Sequence, residues 1–400
     1  MKKGNFSVAQ SGGPTAAINA TLLGVIEYAI QNNFNIFGAV HGIRGVLENN
    51  FLELDKIFNS EENRTLLKNT PGAYLGSCRI KLPDPDTDTA PYEKIFNTFK
   101  EKNITKFIYI GGNDSMDTVD KLSKYAEKHN IDVSVVGAPK TIDNDLAGTD
   151  HTPGFGSAAK FVASAVKEIS RDSGVYLEKS ITIVEIMGRN AGWLTASSAL
   201  ARCKNSDAPH LIYLPERQIS REKIIEDIKN CPAQNIIMAV SEGLKDENGN
   251  YYSAQTTSAH DIFGHAQLSG CAKVLENFLK DEFGYKTRSV ELNVLQRCSG
   301  HITSLTDLDE SEKIGYSAAL CADSDKTGIV MGFNRVGEYK CEIVENKVCD
   351  VANKEKTVPD EFISENSNDV TDGFIKYCKP LILGNPEIIT EDGIPKHITR

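Results

Sequence analysis

The sequence predicts an open α/β architecture, and three observations carry that prediction. β-type runs alternate with helix-type runs over the first three-quarters of the chain. Several of the β-type runs are continuously apolar and β-branched, as in parallel strands buried on both faces. Polar segments rich in glycine follow the strands, where open α/β sheets bind their ligands. The chain has 400 residues, enough for two domains with separate cores.

The expected strands are Phe6–Ala9, Ile36–Val40, Phe107–Ile110, Val133–Gly137, Ile181–Ile186, Leu211–Leu214, Ile236–Val240 and Val290–Leu295. Ile18, Leu22, Val25, Ile26 and Ala29 fall on one helical face, as do Phe161, Val162, Ala165, Val166 and Ile169. The polar stretch from Asp143 to Ser157 separates a first α/β block from a second. Beyond about residue 325 the pattern is less regular, and 351–356 and 364–369 read as exposed loops.

Composition excludes several classes. A hydrophobic content of 40% with 25% charged residues is globular. No apolar run reaches the roughly 18–20 residues that span a bilayer, so no membrane partner is expected. The N-terminus, Met1 to Ala9, lacks the apolar stretch and cleavage site of a signal peptide. Nine cysteines, an odd number without a C-x-x-C pair, argue against a disulfide framework or structural zinc. They point to reduced thiols and a cytoplasmic location. The net charge of −11 repels nucleic acid, so none is expected as partner. It also repels any phosphorylated substrate, which makes individual basic residues informative.

The segments after the strands carry the chemistry. Ser11-Gly12-Gly13-Pro14 follows the first strand. Its glycines permit a tight turn, Pro14 suits a first helical position, and the exposed N–H groups favour phosphate. A structural turn is the bland alternative, and the P-loop pattern is absent. Gly111-Gly112-Asn113-Asp114-Ser115 follows Phe107–Ile110, where a carboxylate either holds a hard cation or caps a helix. Pro139-Lys140-Thr141-Ile142-Asp143-Asn144-Asp145 crowds two carboxylates, a lysine and a hydroxyl into seven residues. Phosphoryl transfer to an alcohol needs a base, a metal ligand and positive charge, and this segment supplies all three unless it is a solvated loop. Met187-Gly188-Arg189 follows Ile181–Ile186, and Ser241-Glu242-Gly243 follows Ile236–Val240. Arg288 and Arg297 bracket Val290–Leu295. They are either surface charge or two forks converging on one phosphate. Trp193, the sole tryptophan, is expected in a core.

In this order the six segments at 11–13, 111–115, 139–145, 187–189, 241–243 and 296–297 resemble the phosphofructokinase family. The resemblance implies two similar α/β domains with the active site in the cleft between them. Residues 1–155 with about 298–330 would form the donor domain, 156–297 the sugar-phosphate domain, and 331–400 a C-terminal extension packed on the domains. It implies pyrophosphate, fructose 6-phosphate and Mg²⁺ as ligands, and a homodimer or homotetramer.

Roles follow by resemblance too. Asp143 is the expected base, with Lys140, Asp114 and Arg189 completing the catalytic set. Thr141, Ile142, Met187, Gly188, Glu242, Arg288, Asn293 and Arg297 would bind the sugar phosphate. Gly12, Gly13, Arg79 and Gly112 would hold the donor, and Asn113 and Asp145 the metal. The family turn more often reads Gly-Gly-Asp, whereas this chain has Asn113. Val294 stands where the ATP-using type has a histidine, so Asn293 is the expected substitute. Lys179 is the nearest match to an arginine supplied across a subunit boundary.

Asp114 and Lys140 resemble the pyrophosphate-using branch, since the ATP-using branch has glycine at both. Two like charges about 4 Å apart at an effective dielectric near 20 repel by roughly 4 kcal/mol, so Asp114 opposes a nucleotide's α-phosphate. The competing expectations are an Asp114–Lys140 ion pair without a role in selection, an ATP-dependent kinase of the same fold, and a non-catalytic sugar-phosphate-binding subunit.

Overall fold

The computed structural model describes residues 4–255 and 270–400; Met1–Lys3, part of the N-terminal reading above, lie outside the described residues. Among the described residues, eleven of the thirteen strands build the two larger sheets. They are β1 Asn5–Gln10, β2 Ile36–Ala39, β3 Phe51–Glu53, β4 Ile104–Gly111, β5 Ser134–Pro139, β6 Ser180–Ile186, β7 Leu211–Tyr213, β8 Asn235–Ser241, β9 Lys286–Glu291, β10 Ile329–Val336 and β11 Lys340–Lys347. The chain divides into two compact units. The first comprises 1–157, 297–355 and 384–400, and the second 158–296 and 356–383.

The first unit holds a seven-stranded sheet in the order β11-β10-β5-β4-β1-β2-β3. Its centre is parallel, and β3 and β11 close the two edges antiparallel. The apolar stripe Ile18, Leu22, Val25, Ile26 and Ala29 is fully buried against one side of this sheet, with Ile314 and Ala318 of the helix Leu305–Asp323. Tyr92, Ile95, Phe99, Val119 and Leu122, from the helices Ala90–Glu101 and Asn113–Lys128, fill another core cluster of the same unit. Burial on both faces explains why Phe107–Ile110 of β4 and Val135–Ala138 of β5 read as unbroken apolar runs.

Register places the three central strands level: Gln10 lies beside Ile110, and Gly111 beside Pro139. The glycine turn after β1, the glycine turn after β4 and the acidic loop after β5 therefore leave adjacent strands at one edge.

The second unit holds a four-stranded, all-parallel sheet in the order β7-β8-β6-β9. Ile186 lies beside Ser241, so Met187 and Glu242 leave neighbouring strands together. Trp193 is 2% exposed, in contact with Phe362, Phe374 and Tyr377 of the same unit, as expected of a core residue.

Two expectations about strands need correction. The strand read at Val290–Leu295 runs instead from Lys286 to Glu291, and Leu295–Cys298 is one helical turn. Val290, Leu292, Val294 and Leu295 suggested a strand by apolarity. Asn293 adopts a left-handed φ of 42°, which ends extension there. The tail also contributes more than loops, because β10 and β11 form a hairpin that extends the first sheet.

Candidate active site

Gly12, Gly13, Arg79 and Gly112, expected to hold the donor, all lie in the first unit. Gly12 turns the chain at φ 76°, a conformation natural to glycine. Buried amides brace this turn. Gln10 Nε2 donates to Asn19 Oδ1 at 3.0 Å, Asn19 Nδ2 to the Thr70 carbonyl at 2.9 Å, and the Leu75 N–H to Gln10 Oε1 at 2.9 Å. Ser77 Oγ donates to the Gly12 carbonyl at 2.6 Å, and Ser11 Oγ to that of Cys78 at 3.3 Å. These bonds carry the exposed Arg79 to the edge of the turn. Sequence reasoning missed Gln10 and Asn19; two amides flanking a glycine turn were the available signal.

Lys140 is only 2% exposed, and its Nζ donates to the Gly13 carbonyl at 2.6 Å. Burial pushes its pKa down to about 8, opposed by the charges of Asp143 and Asp145 and reinforced by Arg297. A side chain added at Gly13 would meet a guanidinium nitrogen of Arg297 at 3.1 Å. Gly13, Lys140 and Arg297 thus form a cationic corner, and Gly112 faces the same segment, 3.5 Å from the Lys140 carbonyl oxygen measured from an added Cβ.

The acidic loop that follows folds on itself. The Asp143 N–H donates to Thr141 Oγ1 at 3.1 Å, and Ile142 is buried. Burial raises the pKa of Asp145, and the neighbouring Asp143 charge raises it further. Two close carboxylates that resist joint ionisation are a donor set that a divalent cation satisfies.

Asn113 and Asp114 open the helix Asn113–Lys128. Asn113 spends its amide on the tail: its Nδ2 donates to the Lys354 carbonyl at 3.0 Å, and its Oδ1 accepts from the Asn353 N–H at 2.8 Å. The metal role expected of it therefore competes with a role as a clamp on residues 353–354. Asp114 is exposed, which screens its charge more than the dielectric of 20 assumed from sequence.

Of the residues expected to bind the sugar phosphate, Met187, Gly188, Glu242, Arg288 and Asn293 lie in the second unit and Thr141, Ile142 and Arg297 in the first. Glu242 Oε1 accepts from the Gly188 N–H at 3.2 Å, Ser241 Oγ donates to the Gly188 carbonyl at 2.5 Å, and the Met187 N–H donates to Gln296 Oε1 at 3.1 Å. Both backbone groups of Gly188 are fixed, which sets the direction in which Arg189 leaves. A Cβ at Gly243 would come within 1.8 Å of the Arg189 carbonyl oxygen, so only glycine allows that approach. Arg189 Nε is buried and has no partner among the described residues, an orphaned donor suited to an anion.

Arg288 lies inside β9 opposite Thr182, three residues before the strand end, and pairs with Asp172 at 3.1 Å. Arg297 belongs to the first unit. Asn293 caps the turn that follows, accepting from Gln296 Nε2 at 3.1 Å through its carbonyl. Lys179 lies over the ring of Tyr285 at 5.2 Å.

No helix among the described residues is long and apolar enough to cross a membrane, and none of the nine cysteines forms a disulfide, with Cys203, Cys298 and Cys349 exposed.

Comparison with known proteins agrees with this geometry. The family model described as "Phosphofructokinase" matches residues 5–319. The pyrophosphate--fructose 6-phosphate 1-phosphotransferase of Xanthomonas campestris pv. campestris is 37% identical, covering 100% of this chain and 96% of its own length. Its counterpart from Rhodospirillum rubrum is 39% identical over 96% of this chain and 95% of the relative. The crystal structure of pyrophosphate-dependent phosphofructokinase from Nitrosospira multiformis superposes with a TM-score of 0.89 at 31% identity, covering 99% of this chain and 96% of that one. With its glycine turns, buried lysine and acidic loop set at the ends of neighbouring parallel strands, the chain belongs to the phosphofructokinase family.

Proposed function

We propose that this chain transfers a phosphoryl group from pyrophosphate to the C1 hydroxyl of fructose 6-phosphate, giving fructose 1,6-bisphosphate and phosphate. Relatives of full length bear the name of that activity, and one observation from the chain itself carries the donor choice. A buried ammonium, Lys140, sits against the glycine turn with its Nζ 2.6 Å from the Gly13 carbonyl oxygen, where a small inorganic donor finds its positive charge.

In this reading Asp143 accepts the proton of the C1 hydroxyl as its oxygen attacks phosphorus, the bridging P–O bond breaks, and phosphate leaves. Lys140 neutralises pyrophosphate together with the N–H groups of Gly12, Gly13 and Gly112 and the charge of Arg79. Arg189, whose Nε has no partner among the described residues, stabilises the charge of the group in flight. Thr141, Ile142, Met187, Gly188 and Glu242 line the sugar, and Arg288, Asn293 and Arg297 serve its 6-phosphate. Asp145, with Asp143 beside it, would hold Mg²⁺, and Asn113 would contribute through the lone pair it does not give to Asn353. When bound, Mg²⁺ supplies charge neutralisation at the pyrophosphate oxygens. The bond broken and the bond formed are both phosphoryl bonds of similar energy, so the step runs both ways, serving glycolysis and gluconeogenesis. The reading includes a cytoplasmic homodimer or homotetramer, checked by light scattering.

The test is a paired donor assay with Asp143→Ser as its control. Wild type should turn over pyrophosphate far faster than ATP. The variant should lose turnover by at least a thousandfold while binding fructose 6-phosphate within threefold of wild type. Comparable turnover on ATP would sink the donor choice, and an active variant would remove Asp143 as base.

A further inference from the structure

Beside the acidic loop lies a buried ionic cluster that the reaction does not use directly. His151 is 2% exposed. Its Nδ1 lies 2.8 Å from Asp150 Oδ1 and its Nε2 lies 2.8 Å from Glu310 Oε2. Two carboxylates accept from one ring, so both nitrogens donate and the ring is an imidazolium. Arg335 forks onto Asp150, at 3.1 Å from Nε and 2.8 Å from Nη2, and Tyr339 donates to Glu310 at 2.8 Å. The cluster balances two negative charges with two positive ones. Burial opposes the imidazolium, but its bonds to Asp150, Cys341 and Glu310 raise its pKa to about 10.

The ligand atoms of Asp150, His151 and Cys341 lie within 4.8 Å of one another, the spacing of a metal site. The ring has no lone pair to offer while both nitrogens donate, and Arg335 occupies Asp150. The cluster is therefore a lock, and its connections show what it locks.

On one side it is bonded to rigid elements. His151 stacks on Phe333 of β10 at 4.6 Å and 12°. The Asp150 N–H donates to the Phe333 carbonyl at 2.8 Å, and the Phe333 N–H to Thr149 Oγ1 at 2.9 Å. Glu310 belongs to the helix Leu305–Asp323. On the other side comes Thr152. Its Oγ1 donates to the Thr141 carbonyl at 2.7 Å, its N–H to Asn144 Oδ1 at 3.0 Å, and the Thr141 N–H donates to the Pro153 carbonyl at 3.2 Å. Thr141 and Asn144 flank Asp143. Two residues further, the Gly154 and Ser157 N–H groups donate to the buried Asp307 at 2.8 and 2.9 Å, which ties down the far end of the loop.

We propose that His151 is a positioning residue for phosphoryl transfer: clamped between Asp150 and Glu310, it fixes Thr152, which in turn holds Thr141 and Asn144 on either side of Asp143. This rests on the reading of Asp143 as the base. A base displaced by about 1 Å loses on the order of a hundredfold in rate while substrate binding is spared, so the signature is a fall in kcat with KM unchanged.

Four variants of the full chain test it with pyrophosphate and fructose 6-phosphate. Thr152→Val removes the hydroxyl bond to Thr141 and the longer one to Asn144 Oδ1 at 3.5 Å, and should lower kcat at least tenfold with both KM values within twofold. His151→Gln should do the same. Adding Glu310→Gln to it restores charge balance, and should recover at least threefold in kcat over His151→Gln alone. If His151→Gln does not fold, Thr152→Val decides. Wild-type kcat in Thr152→Val, or a loss expressed in KM instead, overturns the proposal. Asp143→Ser keeps the two readings apart. An active Asp143→Ser enzyme sinks the base assignment. An inactive one beside a fully active Thr152→Val enzyme sinks the positioning role alone.

Discussion

Lys140 has been taken out of water, and the consequences for stability and catalysis run in opposite directions. Its pKa falls from the usual 10.5 to about 8 because burial disfavours the charged form. Between those two values the unfolded chain holds a proton that the folded chain has released. Stability therefore rises with pH across that window, and the cost of burying the charge is full below it. Activity moves the other way, since an uncharged amine no longer neutralises pyrophosphate. The kcat/KM for pyrophosphate should fall above about pH 8, and Lys140→Met should be slower by about a hundredfold or more and lack that alkaline limb. A limb that survives in the variant would assign it to another group. Asp114 is the complementary residue, and its exposure lowers its weight. At a dielectric near water's, the repulsion of two charges about 4 Å apart drops to roughly 1 kcal/mol. Asp114→Gly should therefore raise kcat/KM for ATP by about fivefold, not by decades. Steady-state assays with ATP check this; a gain of three decades would mean that the carboxylate acts in a drier site than its exposure implies.

At the scale of elements, one atom's room decides the sugar side. An alanine at residue 243 would put its Cβ 1.8 Å from the Arg189 carbonyl oxygen, so the segment Met187–Arg189 must move. Overpacking of this kind costs about 1–3 kcal/mol. Gly243→Ala should leave a folded enzyme whose kcat/KM for fructose 6-phosphate is at least tenfold lower, while pyrophosphate binding, measured calorimetrically, stays within twofold. Equal losses for both ligands would contradict the assignment of this segment to the sugar. The strands that carry these segments were legible because burial on both faces leaves mostly apolar, β-branched residues, unbroken in Phe107–Ile110 of β4 and Ile236–Val240 of β8. The strand β9 was misplaced because Lys286-Thr287-Arg288-Ser289 is half exposed and carries no such run, so the apolar residues after it drew the boundary. The β10–β11 hairpin escaped notice for a related reason: β11 alternates charged with apolar residues along a sheet edge. Motif residues at strand ends were readable because turn, hydroxyl and carboxylate lie within seven positions. Their supports were not. Gln10 reaches Leu75, Asn113 reaches Lys354 and His151 reaches Glu310, and nothing local in a sequence marks a partner so far along it.

For the whole molecule, charge and partition set the terms of binding. A net charge of −11 opposes two anionic substrates, so binding depends on local cations that salt screens over about 10 Å. Those cations are divided: Lys140, Arg297 and Arg79 belong to the first unit, Arg189 and Arg288 to the second. Each unit has its own sheet and its own core, so the mark that each ligand leaves can be read unit by unit. Hydrogen exchange reads this directly, because binding slows the opening of the backbone that it engages. Pyrophosphate alone should slow exchange at 11–13, 111–115 and 140–145. Fructose 6-phosphate alone should slow it at 187–189 and 241–243, and at 141–142 through Thr141 and Ile142. Because the −11 background acts on both anions alike, added salt should weaken the two patterns together without exchanging their places. Pyrophosphate that protected 187–189 while leaving the turn at Gly12 untouched would reverse the assignment of donor and acceptor, and with it the role given to Lys140.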